Sequence, residues 1–179
     1  RKFLEIYAVI PAKFSFCLTQ NPETSLRKAF GNKPMIEILY NVSLPKSLTL
    51  RLNARFRKIK RLAPLFFHPK KSGRALPRHL IIAFVNAKYS QALNKTYRKK
   101  SYIPNVLSFL YDDSHGEVFI TPSVVKKEAK KSGESFEIAL VKMAVHGMIH
   151  CSGVNHEISN KADRVSRALE QQFLSLIGA

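Results

Sequence analysis

The sequence predicts an α+β domain of about four strands and several helices. Three observations predict it. Apolar residues recur with a period of two in some segments and of about 3.6 in others, and the two kinds alternate along the chain. Two strand-like runs meet across Asp112–Gly116, whose residues suit a hairpin turn. The last third is helical and carries histidines one helical turn apart.

Taken in order, residues 1–34 stand apart from the rest. The chain opens with Arg1, and Glu5, Pro11 and Lys13 interrupt its first apolar stretch. That is a poor secretory signal, because such a signal needs a continuous apolar stretch. The segment is expected to be an N-terminal extension, from an upstream start or for targeting, ahead of a domain spanning residues 35–179. Met35–Asn41 alternates and reads as a strand. Ser47–Phe67 carries Leu48, Leu52, Phe56, Ile59 and Leu62 at helical spacing, with Arg and Lys between them, a basic amphipathic helix. Pro69–Pro77 is a loop. Leu80–Val85 is a continuous apolar run, hence a buried strand, and Asn86 caps a helix to about Tyr97. Val106–Tyr111 and Glu117–Thr121 form the hairpin. A short helix starts at Pro122 or Ser123 and stops at Gly133. Ser132 or Ser135 caps the next, to about Cys151, and Gly153 ends it. The last helix runs from about Ser159 to Ile177, with Ala162, Val165, Leu169, Phe173 and Leu176 as its apolar stripe.

Composition narrows function. Among 179 residues 45% are apolar and 23% charged, which is globular rather than disordered. Lys and Arg number 30 against 12 Asp and Glu, a net charge of +18. Such a charge points to polyanions, nucleic acid before an anionic membrane surface. Between Glu37 and Asp112 there are 16 basic residues and no acidic one, whereas a merely solvated face mixes signs. Phe56, Tyr89, Tyr97 and Tyr102 interleave with these cations. Some are suited to stack on bases, while most are expected in the core. Two cysteines exclude a disulfide scaffold and fit a reducing, cytoplasmic setting. No uncharged apolar run is long enough to span a membrane. There is no glycine-rich phosphate loop and no G-x-S-x-G nucleophile motif.

The chemistry-bearing stretch is HGMIHCSGVNH, His146–His156. His146 and His150 lie one turn apart on a helix, so both imidazoles leave the same face. Gly153 lets the chain reverse, and His156 can fold back onto that face. Three imidazoles with a fourth position left for water is the layout of a catalytic zinc site. The spacing equals that of the H-E-x-x-H-x-x-G-x-x-H zinc proteases. Those enzymes carry a glutamate general base after the first histidine, and Gly147 stands there instead, which argues against peptidase activity. Cys151 is a possible soft fourth ligand, but neighbouring helical positions diverge by about 100°, so it is expected in the core. His68, His79 and His115 lack ligand spacing and read as loop, strand-end and turn residues. Cys17 carries no assignment. Metal-activated water beside a basic surface suggests phosphodiester hydrolysis. A guanidinium would stabilise the transition-state charge, and Arg98, before the Val106 strand, is the best placed.

HGMIHCSGVNH resembles the H-G-x-L-H-L-x-G-Y-D-H signature of the YbeY family of bacterial endoribonucleases and rRNA maturation factors. LNKTYRKKSYIPNVLSF resembles that family's LN…YR…PTNVLSFP segment, and HGEVFITPSVVKKEAK and MIEILYN resemble two more of its segments. The resemblance covers Met35 to Ala179; residues 1–34 have no counterpart in it. It implies a mixed four-stranded sheet flanked by helices, one zinc ion held by His146, His150 and His156 in a helix and turn near the C-terminus, and a functional Arg98. It also implies single-strand-specific RNA cleavage, maturation of the 3′ end of small-subunit 16S rRNA, and ribosome quality control. The implied partners are RNA, the small ribosomal subunit and its assembly proteins. Three features depart from the pattern. Val154 and Asn155 replace Tyr-Asp before the last histidine, Pro104-Asn105 is one residue short, and His115-Gly116-Glu117 replaces Leu-Gly-Asp. Asn155 puts any carboxylate role there in doubt. The competing reading is a non-catalytic ribosome-assembly factor whose metal only staples the last two helices. A metallohydrolase acting on something other than RNA is a third.

Overall fold

A computed structural model describes residues 34–67, 75–153 and 160–179, and of 160–163 the backbone alone. The 1–33 segment with Cys17, His68, most of the Pro69–Pro77 loop, Val154, Asn155, His156 and the Ala162 side chain lie outside these. The element order is β1 (Met35–Tyr40), α1 (Lys46–Phe66), β2 (His79–Phe84), α2 (Ala87–Arg98), β3 (Val106–Leu110), β4 (His115–Ile120), α3 (Pro122–Ser132), α4 (Phe136–Cys151) and α5 (Asn160–Ile177).

Local chemistry accounts for the helix ends. Asn86 accepts from the Tyr89 amide with its side chain at 2.8 Å and so opens α2. Pro122 sits at the start of α3, where its missing N–H costs nothing. Gly133 closes that helix at φ +70° and Gly153 follows α4 at φ +87°, both in the left-handed region that glycine enters freely. Ser135 precedes α4 with extended backbone, though its side chain makes no capping bond. α1 runs through Pro64 in its last turn, close enough to the end that the helix continues only to Phe66.

The strands form one mixed sheet in the order β1-β2-β4-β3. β1, β2 and β4 are parallel, and β3 runs antiparallel along β4 as the hairpin partner. Asp112 ties that hairpin's turn by accepting from the Ser114 and His115 amides at 2.7 and 2.9 Å. His115, expected in the turn, is instead the first residue of β4, because these bonds close the connection within the four residues 111–114.

Alternation of the strands sends side chains to two faces. Leu80, Ile82, Phe84, Val118 and Ile120 face a core shared with α1, α3, α4 and α5. Ile81, Ala83, Leu107 and Phe119 face the other way, where α2 covers them through Leu93 and Tyr89. The α5 stripe holds at Leu169 and Phe173 and departs from the sequence reading at its last position. Phe173, Leu174 and Ile177 are buried, whereas Leu176 is 58% exposed. Both Leu176 and Ile177 fit a helical period, and the packing of α5 against α1 and α4 decides which faces inward. Among the described residues, no helix is long and apolar enough to cross a membrane.

Candidate metal centre

Helix α4 presses on the sheet with a nearly continuous apolar surface that includes Leu140, Val141, Ala144, Val145 and Met148. Its approach is close because Gly147 lies against β3 and β4. A β-carbon there would come within 2.3 Å of Val118 Cγ1 and 3.1 Å of Ser108 Oγ. Gly147 is therefore a packing residue facing the sheet. A side chain at that position has no path to the histidines, so its lack of a carboxylate follows from the fold.

His146 and His150 emerge on the half-buried flank of α4. Their Nε2 atoms lie 3.0 Å apart, and the rings are 4.7 Å apart at 73°. Two zinc–imidazole bonds of about 2.0–2.1 Å place their nitrogens about 3 Å apart, so this pair fits a shared cation. Glu170 on α5 lies 3.1 Å from His146 Nδ1. An ionised carboxylate only accepts, so His146 donates its Nδ1 hydrogen to it, and Nε2 is the nitrogen turned toward His150. A neutral ring bonded in this way presents its Nε2 lone pair to a metal, and a carboxylate on the far ring nitrogen is the usual support of such a ligand. The donor chemistry of the pair thus suits zinc.

His156, the third histidine of the spacing, lies outside the described residues. Among the described residues, no group of three or more His, Cys, Asp or Glu side chains is placed to hold a metal. Sequence reading missed Glu170. Nothing in the α5 pattern marks one glutamate among its polar residues, and only the packing of α5 on α4 brings it to His146.

Cys151 belongs to the core. It is 1% exposed, with Sγ 3.8 Å from the Phe109 carbonyl oxygen and 3.9 Å from that of Glu117. Burial, helped by the Glu117 charge, pushes its thiol up to about 12, so the thiolate a metal prefers is suppressed.

Arg98 is the exposed last residue of α2, on the opposite face of the sheet from α4. The two helices nevertheless converge on edge strand β3. Tyr97 packs on Phe109 with ring centroids 5.3 Å apart, while Gly147 meets Ser108, the neighbouring residue of the strand. His79 and His115 stand side by side at the starts of their strands. His79 Nε2 lies 3.2 Å from Glu37 Oε2, and Glu117 accepts a hydrogen bond from the Tyr111 hydroxyl at 2.6 Å. Burial holds the His79 imidazole below its ordinary range. Tyr89 packs on Phe119 and Phe56 on Phe84, both as core residues. Tyr102 is 53% exposed.

Comparison with known proteins gives a consistent result. Residues 49–178, more than half of the chain, match the family model described as Endoribonuclease YbeY. The chain is 29% identical to the endoribonuclease YbeY of Herminiimonas arsenicoxydans over 126 residues, which cover 64% of this chain and 80% of that protein. It is 35% identical over 104 residues to the protein of that name from Paraburkholderia phytofirmans, covering 55% of this chain and 67% of that one. The solution structure of TM1509 from Thermotoga maritima superposes with a TM-score of 0.57 at 21% identity, over 80% of this chain and 89% of that one. At that identity the likeness concerns the fold alone.

Proposed function

The chain belongs to the YbeY endoribonuclease family, and from that premise we propose that it is a zinc-dependent, single-strand-specific endoribonuclease. The observation that carries the metal part is the pair of Nε2 atoms 3.0 Å apart, one of them backed by Glu170. His146, His150 and His156 are the residues that would hold the ion. When bound, zinc supplies a water activated near neutral pH and a Lewis-acidic partner for a phosphoryl oxygen.

The chain's own residues do the rest. Glu170 accepts a hydrogen bond from His146 Nδ1–H and keeps that ring in one tautomer and one orientation. The close seat of Gly147 on Val118 fixes the helix that carries both rings. Arg98 is the proposed guanidinium, binding the scissile phosphate and offsetting its added negative charge in the transition state. The acid-free basic interval holds the RNA backbone. The proposed substrate is the 3′ region of small-subunit 16S rRNA in the cytoplasm, with the small ribosomal subunit and its assembly proteins as partners and ribosome quality control as the wider role.

Metal analysis of the purified full chain, paired with cleavage of single-stranded RNA before and after chelation, tests the reading. About one zinc per chain is expected, with cleavage abolished by chelator or by His150→Ala and reduced by Arg98→Ala. Undiminished cleavage by His150→Ala protein overturns it. Zinc binding with no cleavage of any RNA leaves the assembly-factor reading, in which the metal only joins α4 to the segment after it.

A further inference from the structure

The segment between α2 and β3, residues 99–105, has no role in the reading above beyond the charges of Lys99 and Lys100. It is built with unusual care for a surface loop. It turns at Lys99 and runs back along α2, strapped to that helix by three side chains. Gln91 Nε2 donates to the Ser101 carbonyl at 2.6 Å, Asn94 Nδ2 donates to the Tyr102 carbonyl at 2.9 Å, and Ser90 Oγ reaches the Pro104 carbonyl at 3.5 Å. Ser90 and Asn94 are fully buried, and Pro104 is buried as well. The Asn94 Oδ1 atom has no partner among the described residues. A buried amide with an unpaired oxygen is costly, and what its nitrogen achieves is to fix the backbone of Tyr102.

The side chains so fixed point outward. Tyr102 is 53% exposed and Ile103 38%. Exposed aromatic and aliphatic side chains on a loop usually move, whereas here the backbone beneath them is held to α2 by three hydrogen bonds. Lys100 holds its ammonium over the Tyr102 ring, 6.0 Å from the centroid. Lys99 occupies the left-handed region, φ 57°, where glycine is the ordinary residue. A glycine there would relieve the backbone, and the sequence carries a cation instead. No acidic residue occurs between Glu37 and Asp112 in the sequence, and the fold brings Glu128 to the far end of this segment, where it accepts from Asn105 Nδ2 at 3.0 Å. Past Pro104 the chain enters β3, the strand that Gly147 of the histidine-bearing helix packs against.

We propose that Tyr102 is a stacking platform for an unpaired nucleobase, with Lys99 and Lys100 as contacts to the flanking phosphates. The inference rests on the reading of the chain as an RNA-cleaving enzyme and names a subsite of it. An aromatic face accepts any base, and cations at its rim take the backbone, which together select single strands without selecting sequence. A base inside a duplex is already stacked on both sides and cannot use the ring. Holding the ring still in advance removes an ordering cost from binding.

The chain contains no tryptophan, so Tyr102→Trp installs a single tryptophan at the platform, excited apart from the tyrosines at the red edge of the absorption band. The full-length variant is titrated with chelator present, so that neither metal nor cleavage enters the readout. The probes are a short oligouridylate, the same strand with abasic sites, and a duplex RNA. Stacking predicts quenching by the oligouridylate and none by the abasic strand or the duplex. In parallel, Tyr102→Ala should bind the oligouridylate about tenfold more weakly than wild type. Its affinity for the abasic strand should be unchanged, and Tyr102→Phe should bind as wild type does. Because Tyr102 is exposed, these variants keep the core. Equal quenching by the abasic strand, or undiminished oligouridylate affinity in Tyr102→Ala, overturns the platform. The same titration on Tyr102→Trp combined with His150→Ala separates the two readings. Quenching that survives there while cleavage is absent supports the platform independently of the metal.

Discussion

Gly147 and Glu170 act on the histidine pair from opposite sides. Gly147 has room for a hydrogen and no more, since a methyl group would enter the van der Waals shell of both Val118 methyls. Both are branches of a fully buried valine, so the clash is not relieved by a side chain swinging away. Gly147→Ala should therefore destabilise the fold by about 1–3 kcal/mol through overpacking, although alanine is the better helix former. Urea unfolding measures this, and a variant as stable as wild type would show that α4 slides without cost. Glu170 is the opposite kind of residue, with little bearing on the core and a direct bond to His146. Glu170→Gln should leave the melting temperature of the metal-free protein nearly unchanged. It should weaken zinc affinity by about 10–100-fold, because the amide supports the ligand tautomer less firmly. Competition with a chromophoric chelator reads this directly, and equal affinity would remove Glu170 from the site.

Between elements, the contact of α1 with α4 is partly ionic. Arg51 Nε lies 2.5 Å and Arg55 Nε 3.3 Å from the Glu137 carboxylate, which sits in the first turn of α4, where the helix dipole also favours a negative charge. Arg55 additionally bonds the Gly178 carbonyl, so one guanidinium joins α1, α4 and the end of α5. Burial pushes the Glu137 carboxyl up, but the two guanidinium groups outweigh it and hold it below its ordinary value of 4.5. The folded state then takes up this proton less readily than the unfolded chain. The stabilisation is present above about pH 4.5 and is lost as pH falls through the depressed folded value. Glu137→Gln should accordingly flatten the acid limb of the stability curve below that pH, measured by urea unfolding from neutral to acid. An unchanged limb would assign the acid sensitivity to other groups. The elements themselves were largely readable in the chain. The alternating strands, the Asn86 cap and the Gly133 stop act within a few residues of themselves. What could not be read was which of two helically equivalent positions faces inward, as with Leu176 and Ile177, because that depends on how α5 packs against α1 and α4.

For the whole molecule, the net charge of +18 makes RNA binding a matter of counterion release. Arg57, Lys60 and Arg61 on α1 are exposed, as are Lys99 and Lys100 beside the proposed platform. Affinity for single-stranded RNA should fall linearly on logarithmic axes with salt, by about a thousandfold or more between roughly 50 and 200 mM. A nearly flat dependence would mean that these charges serve solubility alone. By itself the sequence determined the elements, the excess of cations and the one-turn spacing of His146 and His150, since each is carried by residues near one another in the chain. Only the tertiary structure decided that Gly147 is a contact surface rather than a missing base. It alone brought Glu170 to His146 and carried α2 and α4 to opposite sides of one edge strand. These are meetings between segments far apart in sequence, and packing, which no local pattern encodes, selects them.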